Sequence, residues 1–167
     1  ALLMAADLAG TPRSGMNVQL CGDAHLMNFG AFGSPERRMV FDINDFDETA
    51  PGPFEWDVKR LAASVAIAGR DNGFGTKDRT RAVRASVEGY RTAMTELASM
   101  TNLEVWYSAI DVDAWMVQLG ADVGEKAAKR AEAQVAKART RDSHQAYAKL
   151  THPAPGQPRI TSDPPSP

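Results

Sequence analysis

The sequence predicts an α+β fold, mainly helical, with a small β-hairpin, and three observations lead there. Two short apolar stretches flank the turn signal Gly33-Ser34-Pro35-Glu36, the pattern of paired strands. Beyond Asp57 the apolar residues recur at steps of three and four, the period of helices. A chain of 167 residues, 43% hydrophobic and 24% charged, has the size and balance of one ordinary globular domain.

The elements follow in order. Residues 1–9 read as the end of a helix closed by Gly10, Thr11 and Pro12. Asn17 to Cys21 alternates weakly, as a short strand does, and leads into the polar loop Gly22-Asp23-Ala24-His25-Leu26-Met27-Asn28. Phe29 to Phe32 and Arg38 to Ile43 form the hairpin, which returns the chain to its start and makes Asn28 and Asp45 neighbours. Pro51-Gly52-Pro53 is expected to be a loop, with Asp57 capping a helix that carries Val58, Leu61, Val65 and Ala68 on one face. Gly69 to Gly75 breaks that helix. Thr76 then caps a longer core helix with Val83, Val87, Tyr90, Met94 and Leu97, and Trp56, Trp106 and Trp115 are expected in the core. From Asp113 to about Lys149 the chain reads as helix with a solvated basic face. Six of the ten prolines lie in the last fifteen residues, so residues 151–167 read as a truncated linker or crossing segment after a lobe spanning residues 1–150. Neither end reads as a natural terminus, so a fragment of a larger protein is expected.

Composition excludes several function classes. A net charge of -2 and a pI near 5.9 supply no global field for polyanions, so nucleic acid is not an expected partner. One cysteine, Cys21, precludes an intramolecular disulfide or a Cys-rich zinc site. No apolar run approaches the roughly 18 residues that span a bilayer, so the expected location is cytoplasmic with no membrane partner. A calcium loop started at Asp45 would place Ala50 where glycine is required and Trp56 where a bidentate Glu belongs. No H-E-x-x-H segment is present for a zinc hydrolase.

The chemistry concentrates in two places. Asp23 and Asn28 lie five residues apart, and one hairpin later comes Asn44-Asp45-Phe46-Asp47-Glu48. Asp42, Asp45, Asp47, Glu48, Glu55 and Asp57 fall within sixteen residues with no Lys or Arg among them. Crowded carboxylates repel one another, and a divalent cation relieves that repulsion. Phosphoryl transfer of the kinase type uses an Asp near the attacking hydroxyl, an Asn on one Mg²⁺ and a second Asp on the metals. His25 reads as a hydrogen-bonding prop for the loop, and Cys21 as a small buried residue lacking a base beside it.

Three blocks carry a resemblance: Cys21 to Gly30, Val40 to Thr49, and Gly52 to Ser64. They resemble an uncharacterised bacterial family, domain of unknown function 2252, along the whole chain. More distantly they are similar to aminoglycoside phosphotransferases and protein kinases, whose loop reads His-Gly-Asp-x-His-x-x-Asn before an Ile-Asp segment. The resemblance implies a kinase-like C-lobe whose hairpin carries the catalytic and metal loops. It implies that Asp23 is the catalytic base and that Asn28 and Asp45 are metal ligands. Asp57 becomes the carboxylate tying the following helix to the catalytic loop, with His25, Asp47 and Glu48 as possible supports. Mg²⁺ or Mn²⁺ and ATP are the implied cofactor and co-substrate, with a small-molecule or protein acceptor. Cys21 stands where those phosphotransferases have His.

The superfamily's phosphate-covering Gly-rich loop and its Lys have no counterpart here, since Gly73-Phe74-Gly75 followed by Lys77 completes no P-loop. A rival reading is a catalytically inactive kinase-like module that binds a nucleotide or protein for regulation. The 167-residue chain on its own is expected to transfer no phosphate, because positioning supplies nearly all the catalysis in this reaction class. Assaying it beside the complete protein with labelled ATP checks this. Comparable turnover by the isolated chain, abolished by Asp23→Ala, would show a complete active site.

Overall fold

The computed structural model describes residues 2–122, 124–140, 147, 148, 150–153 and 157–160. The fold is α+β and mainly helical, with small sheets. The described chain forms two compact units: residues 1–30 with 41–110, and residues 31–40 with 111–167.

The first unit begins with helix α1 (Leu2–Leu8) and strand β1 (Asn17–Leu20). A 3-10 turn at Leu26–Asn28 leads into strand β2 (Phe29–Gly33), which pairs with β3 (Met39–Ile43). The open end of this hairpin is closed by Asn44 N–H donating to the Asn28 carbonyl at 2.9 Å, and the rings of Phe29 and Phe41 stack there, 6.4 Å apart. Strand β4 (Ala50–Pro53) pairs antiparallel with β1, Asn17 opposite Pro53 and Leu20 opposite Ala50. The expected Pro51-Gly52-Pro53 loop is therefore a strand. A two-stranded ribbon has only edges, and an edge strand accommodates residues with no N–H to donate.

Helix α2 (Glu55–Asp71) starts two residues before the expected cap. Phe54 holds the cap position without a side-chain bond, and Asp57 lies inside the first turn. Glu55 and Asp57 place negative charge at the positive end of the helix dipole. The preceding loop is clamped to this end: Glu55 accepts from Ser14 N–H at 2.6 Å, while Lys59 donates to Thr11 Oγ1 at 2.6 Å and to the Pro12 carbonyl at 2.9 Å. The bond from Ser14 holds the Glu55 carboxyl below its ordinary range.

Helix α3 (Thr76–Leu97) packs on α2. Gly75, not Thr76, occupies its cap position. Gly69 is buried where the two helices come together, and a Cβ there would lie 3.0 Å from Arg79 Cγ. Phe54 and Tyr90 stack at 6.2 Å, and burial raises the Tyr90 hydroxyl pKa. No residue of α3 is fully buried, so it is a one-sided helix, not the expected core helix. Helix α4 (Asn102–Tyr107) opens with a capping box between Thr101 and Glu104. Trp106 and Tyr107 are 81% and 69% exposed, contrary to the expected packing, and Trp115 also lies largely at the surface. All six residues of this short helix are exposed, so none of its sides is packed and the rings have nothing to bury against.

In the second unit the hairpin tip is closed by Ser34 N–H donating to the Arg38 carbonyl at 2.8 Å, with Arg37 at a φ of 61°. Strand β5 (Ile110–Asp111) completes the sheet order β2-β3-β5. Asp111 Oδ1 takes the N–H groups of Asp113 and Ala114 at 2.9 and 3.1 Å, capping helix α5 (Val112–Asp122). Val112 is wholly buried, and α5 packs with α6 (Glu125–Arg139), joined by the Asp113–Arg139 ion pair. The expected helix to Lys149 lies partly outside the described residues, at 141–146 and 149. Within the Pro-rich stretch, strands β6 (Thr151–His152) and β7 (Arg159–Ile160) pair antiparallel, while residues 154–156 and 161–167 lie outside the described residues. Among the described residues no helix is long and apolar enough to cross a membrane.

Gly22 has φ +89°, and a Cβ on it would lie 2.0 Å from the Glu48 carbonyl oxygen. Both strain and contact fall on backbone, which cannot swing aside. Gly22→Ala is expected to cost about 3 kcal/mol. Gly33→Ala, with nothing within 4 Å of its Cβ, is expected to cost far less. Urea denaturation of the two variants checks the difference.

Candidate functional site

Helix α2 organises the site through one stripe of residues. Asp57, Arg60 and Ser64 sit at helical positions i, i+3 and i+7, hence on one face. Asp57 accepts from Cys21 N–H at 2.7 Å and from Gly22 N–H at 3.3 Å. Arg60 donates to Asp23 Oδ1 at 2.8 Å. Ser64 Oγ accepts from Leu26 N–H at 2.9 Å. Successive turns of the helix thus hold successive points of the loop. Because only the end of the loop forms a 3-10 turn, side chains satisfy backbone groups that a sheet or helix would otherwise pair.

The Asp23 carboxylate meets a second donor. His25 Nδ1 accepts from Met27 N–H at 3.1 Å, which leaves the proton on Nε2, 3.3 Å from Asp23 Oδ2. His25 also caps the 3-10 turn through that Met27 bond. It acts as a prop for the loop.

Asn28 joins the loop to the hairpin end. Its side chain is buried, and Nδ2 donates to the carbonyls of Asp23 at 3.1 Å and Asp45 at 3.0 Å. Both amide protons are spent on the backbone, so Oδ1 is the atom left to face a ligand. Asp45 Oδ1 accepts from Asp47 N–H at 3.1 Å in an Asx turn, which leaves Oδ2 outside that turn. Asp42 bonds through Oδ1 to the adjacent Ile43 N–H and is exposed. The Glu48 backbone lies against Gly22, and Thr49 Oγ1 donates to the Leu20 carbonyl at 2.6 Å, closing the acidic segment onto β1.

The structure therefore brings Asp23, His25, Asn28, Asp45 and Asp57 into one connected network, with Asp47 on the Asx turn and the Glu48 backbone at its margin. Arg60 and Ser64 were not singled out from the sequence. Their signal was present: counted from Asp57, they are the polar residues on one stripe of an otherwise apolar helical face. Beside this network a cavity of about 310 Å³ is lined by Leu20, Gly22, Trp56, Asp57 and Arg60 among others.

Among the described residues no three His, Cys, Asp or Glu side chains converge as a metal cage. The hard oxygens of Asn28 and Asp45 suit instead a Mg²⁺ that takes one or two protein ligands and completes its shell with waters and phosphates. The donor set thus fits that cation.

A mainly helical α+β protein with a polar loop pinned to one helix defines the class. The chain matches over residues 1–167 the family described as an uncharacterized protein conserved in bacteria, DUF2252, and belongs to that family. No curated protein and no solved structure matches it.

Burial, reinforced by the Asp57 carboxylate, pushes the Cys21 thiol from its ordinary 9.0 up to about 11. The folded state therefore holds this proton more tightly than the unfolded chain. The resulting stability is complete below about pH 9 and falls as pH rises towards about 11. Alkylation of Cys21 should show a midpoint near pH 11 in native protein. Asp57→Asn should lower that midpoint and speed hydrogen exchange at the Cys21 and Gly22 amides. Reaction rates across pH and amide exchange measure both.

Proposed function

We propose that this chain is a kinase-like lobe carrying the catalytic loop and metal half of an ATP- and Mg²⁺-dependent phosphotransferase that works in the cytoplasm on a small-molecule or protein acceptor. The observation that carries the reading is the Asn28 side chain bonded to the carbonyls of both Asp23 and Asp45. That bridge brings the loop Asp, the loop Asn and the hairpin Asp together, the three residue types this chemistry requires.

In this reading Asp23 meets the acceptor. A carboxylate oxygen has more than one lone-pair direction, so the bonds from Arg60 and His25 leave room for a hydroxyl to donate. The bond from the γ-phosphorus to ADP breaks as a bond to the hydroxyl oxygen forms, and the hydroxyl proton passes to Asp23. Asn28 Oδ1 and the Asp45 carboxylate would hold Mg²⁺, which when bound neutralises phosphate charge. Asp57 keeps the Cys21-Gly22 turn fixed so that Asp23 is presented in one orientation.

Mn²⁺ titration is expected to broaden NMR signals of Asn28 and Asp45 first. In the complete protein, Asp45→Asn should lower MgATP turnover by about 10²-fold or more. Asp42→Asn and Glu48→Gln should lower it only a few-fold. Sharp Asn28 and Asp45 signals while others broaden, or equal losses in all three variants, would overturn the assignment. Nucleotide binding without turnover would make the module a regulatory binder instead.

A further inference from the structure

We propose that Arg60 is a positioning residue that divides the labour between the two carboxylates, reserving Asp23 for the acceptor hydroxyl and leaving Asp45 to the metal. This rests on the phosphotransfer reading above. The two side chains lie in different settings although Asn28 ties their backbones together. Asp23 has a cation on Oδ1, from Arg60 at 2.8 Å, and an N–H on Oδ2, from His25 at 3.3 Å. Among the described residues, the Asp45 carboxylate accepts only from the Asp47 N–H of its own turn.

A divalent ion beside two neighbouring carboxylates draws in both unless one is already satisfied. The acidic stretch from Asp42 to Asp57 has no basic residue of its own, and Lys59 is spent on Thr11 and Pro12. Arg60 supplies the missing charge at Asp23. Its side chain is 14% exposed against 34% for Asp23, so the guanidinium is the more deeply held partner, and it projects from a helix. The donors on Asp23 come from different elements, Arg60 from α2 and His25 from the loop. Rotation of the carboxylate towards a metal would break a charge-assisted bond. Asp57 cannot replace Asp23 in this arrangement, because its two oxygens accept from Cys21 and Gly22.

The test uses the complete protein with Arg60→Met and Arg60→Lys, and reads both MgATP turnover, with water as acceptor, and Mn²⁺ affinity in the absence of nucleotide. Arg60→Met is expected to lower kcat by about 10²-fold while KM for ATP changes less than about two-fold, the signature of lost alignment. It should also tighten Mn²⁺ binding several-fold, because a released Asp23 becomes a further ligand. Arg60→Lys should regain part of kcat and restore wild-type Mn²⁺ affinity, since it returns the charge without the planar fork. If Arg60→Met does not fold, the Lys variant decides: Mn²⁺ tightened as far as expected for full release of Asp23 would overturn the proposal. Full kcat and unchanged Mn²⁺ affinity in Arg60→Met would overturn the role of Arg60 while the phosphotransfer reading stands. A wild-type protein that never turns over MgATP would overturn that reading instead, and Mn²⁺ affinity would still judge the partition.

Discussion

The Asp57 carboxylate holds two backbone N–H groups at Cys21 and Gly22, and the site depends on that grip. A loop seven residues long has few backbone bonds of its own, so it keeps one conformation only if something rigid satisfies its donors. Helix α2 is that rigid element. Arg60 and Ser64 repeat the contact one and two turns further on, and the loop is read along its length by a single helical face. At the end of the loop, Asn28 donates to one carbonyl of the loop, Asp23, and to one at the hairpin end, Asp45. The polar loop thus sits between a helix and a hairpin, tied to each by side chains that spend their hydrogen-bonding capacity on backbone.

Close approach reinforces these ties. Gly22 brings the loop against the Glu48 carbonyl, and Gly30 lies where a Cβ would meet the Asn44 amide at 2.4 Å. Gly22 sets the distance between the loop and the acidic segment, because a Cβ there would meet backbone, whereas the Asn44 amide facing Gly30 is the end of a side chain that can swing aside. The consequence is electrostatic as well as steric. Asp23 and Asp45 are joined through the Asn28 amide, and Arg60 is the cation bonded to Asp23. A carboxylate with a guanidinium and one without are chemically different groups even when their backbones share a bridging amide, and that difference underlies the separate roles proposed for Asp23 and Asp45.

Much of this was legible in the chain. The hairpin was readable because Gly33-Ser34-Pro35-Glu36 interrupts two apolar stretches, and its closure made the proximity of Asn28 and Asp45 a matter of geometry. The helices α2 and α3 were readable from their apolar period. Other points were misread for identifiable reasons. Pro51 and Pro53 signal a break in local terms, but the partner strand β1 needs few donors from them, so a strand forms. Asp57 looks like a helix cap because caps and first-turn acids share the same composition, and only the position of the loop shows which N–H groups it takes. Trp106 and Tyr107 are large and apolar, yet hydrophobic size does not state whether a short helix is covered, and every residue of α4 is exposed.

Sequence alone determined the local matters: which segments alternate, which repeat at helical steps, and where glycine and proline interrupt. These are properties of neighbours along the chain, set by backbone geometry and side-chain period. Tertiary structure decided the partners. That Arg60 meets Asp23, that His25 takes the other oxygen, and that Asp57 turns away from its own helix to hold Cys21 and Gly22 are contacts across about 35 residues of separation, outside His25. Such contacts depend on where rigid elements come to rest against one another, because a hydrogen bond forms only within a few tenths of an ångström of its ideal length. No spacing along a chain carries that precision, and packing does.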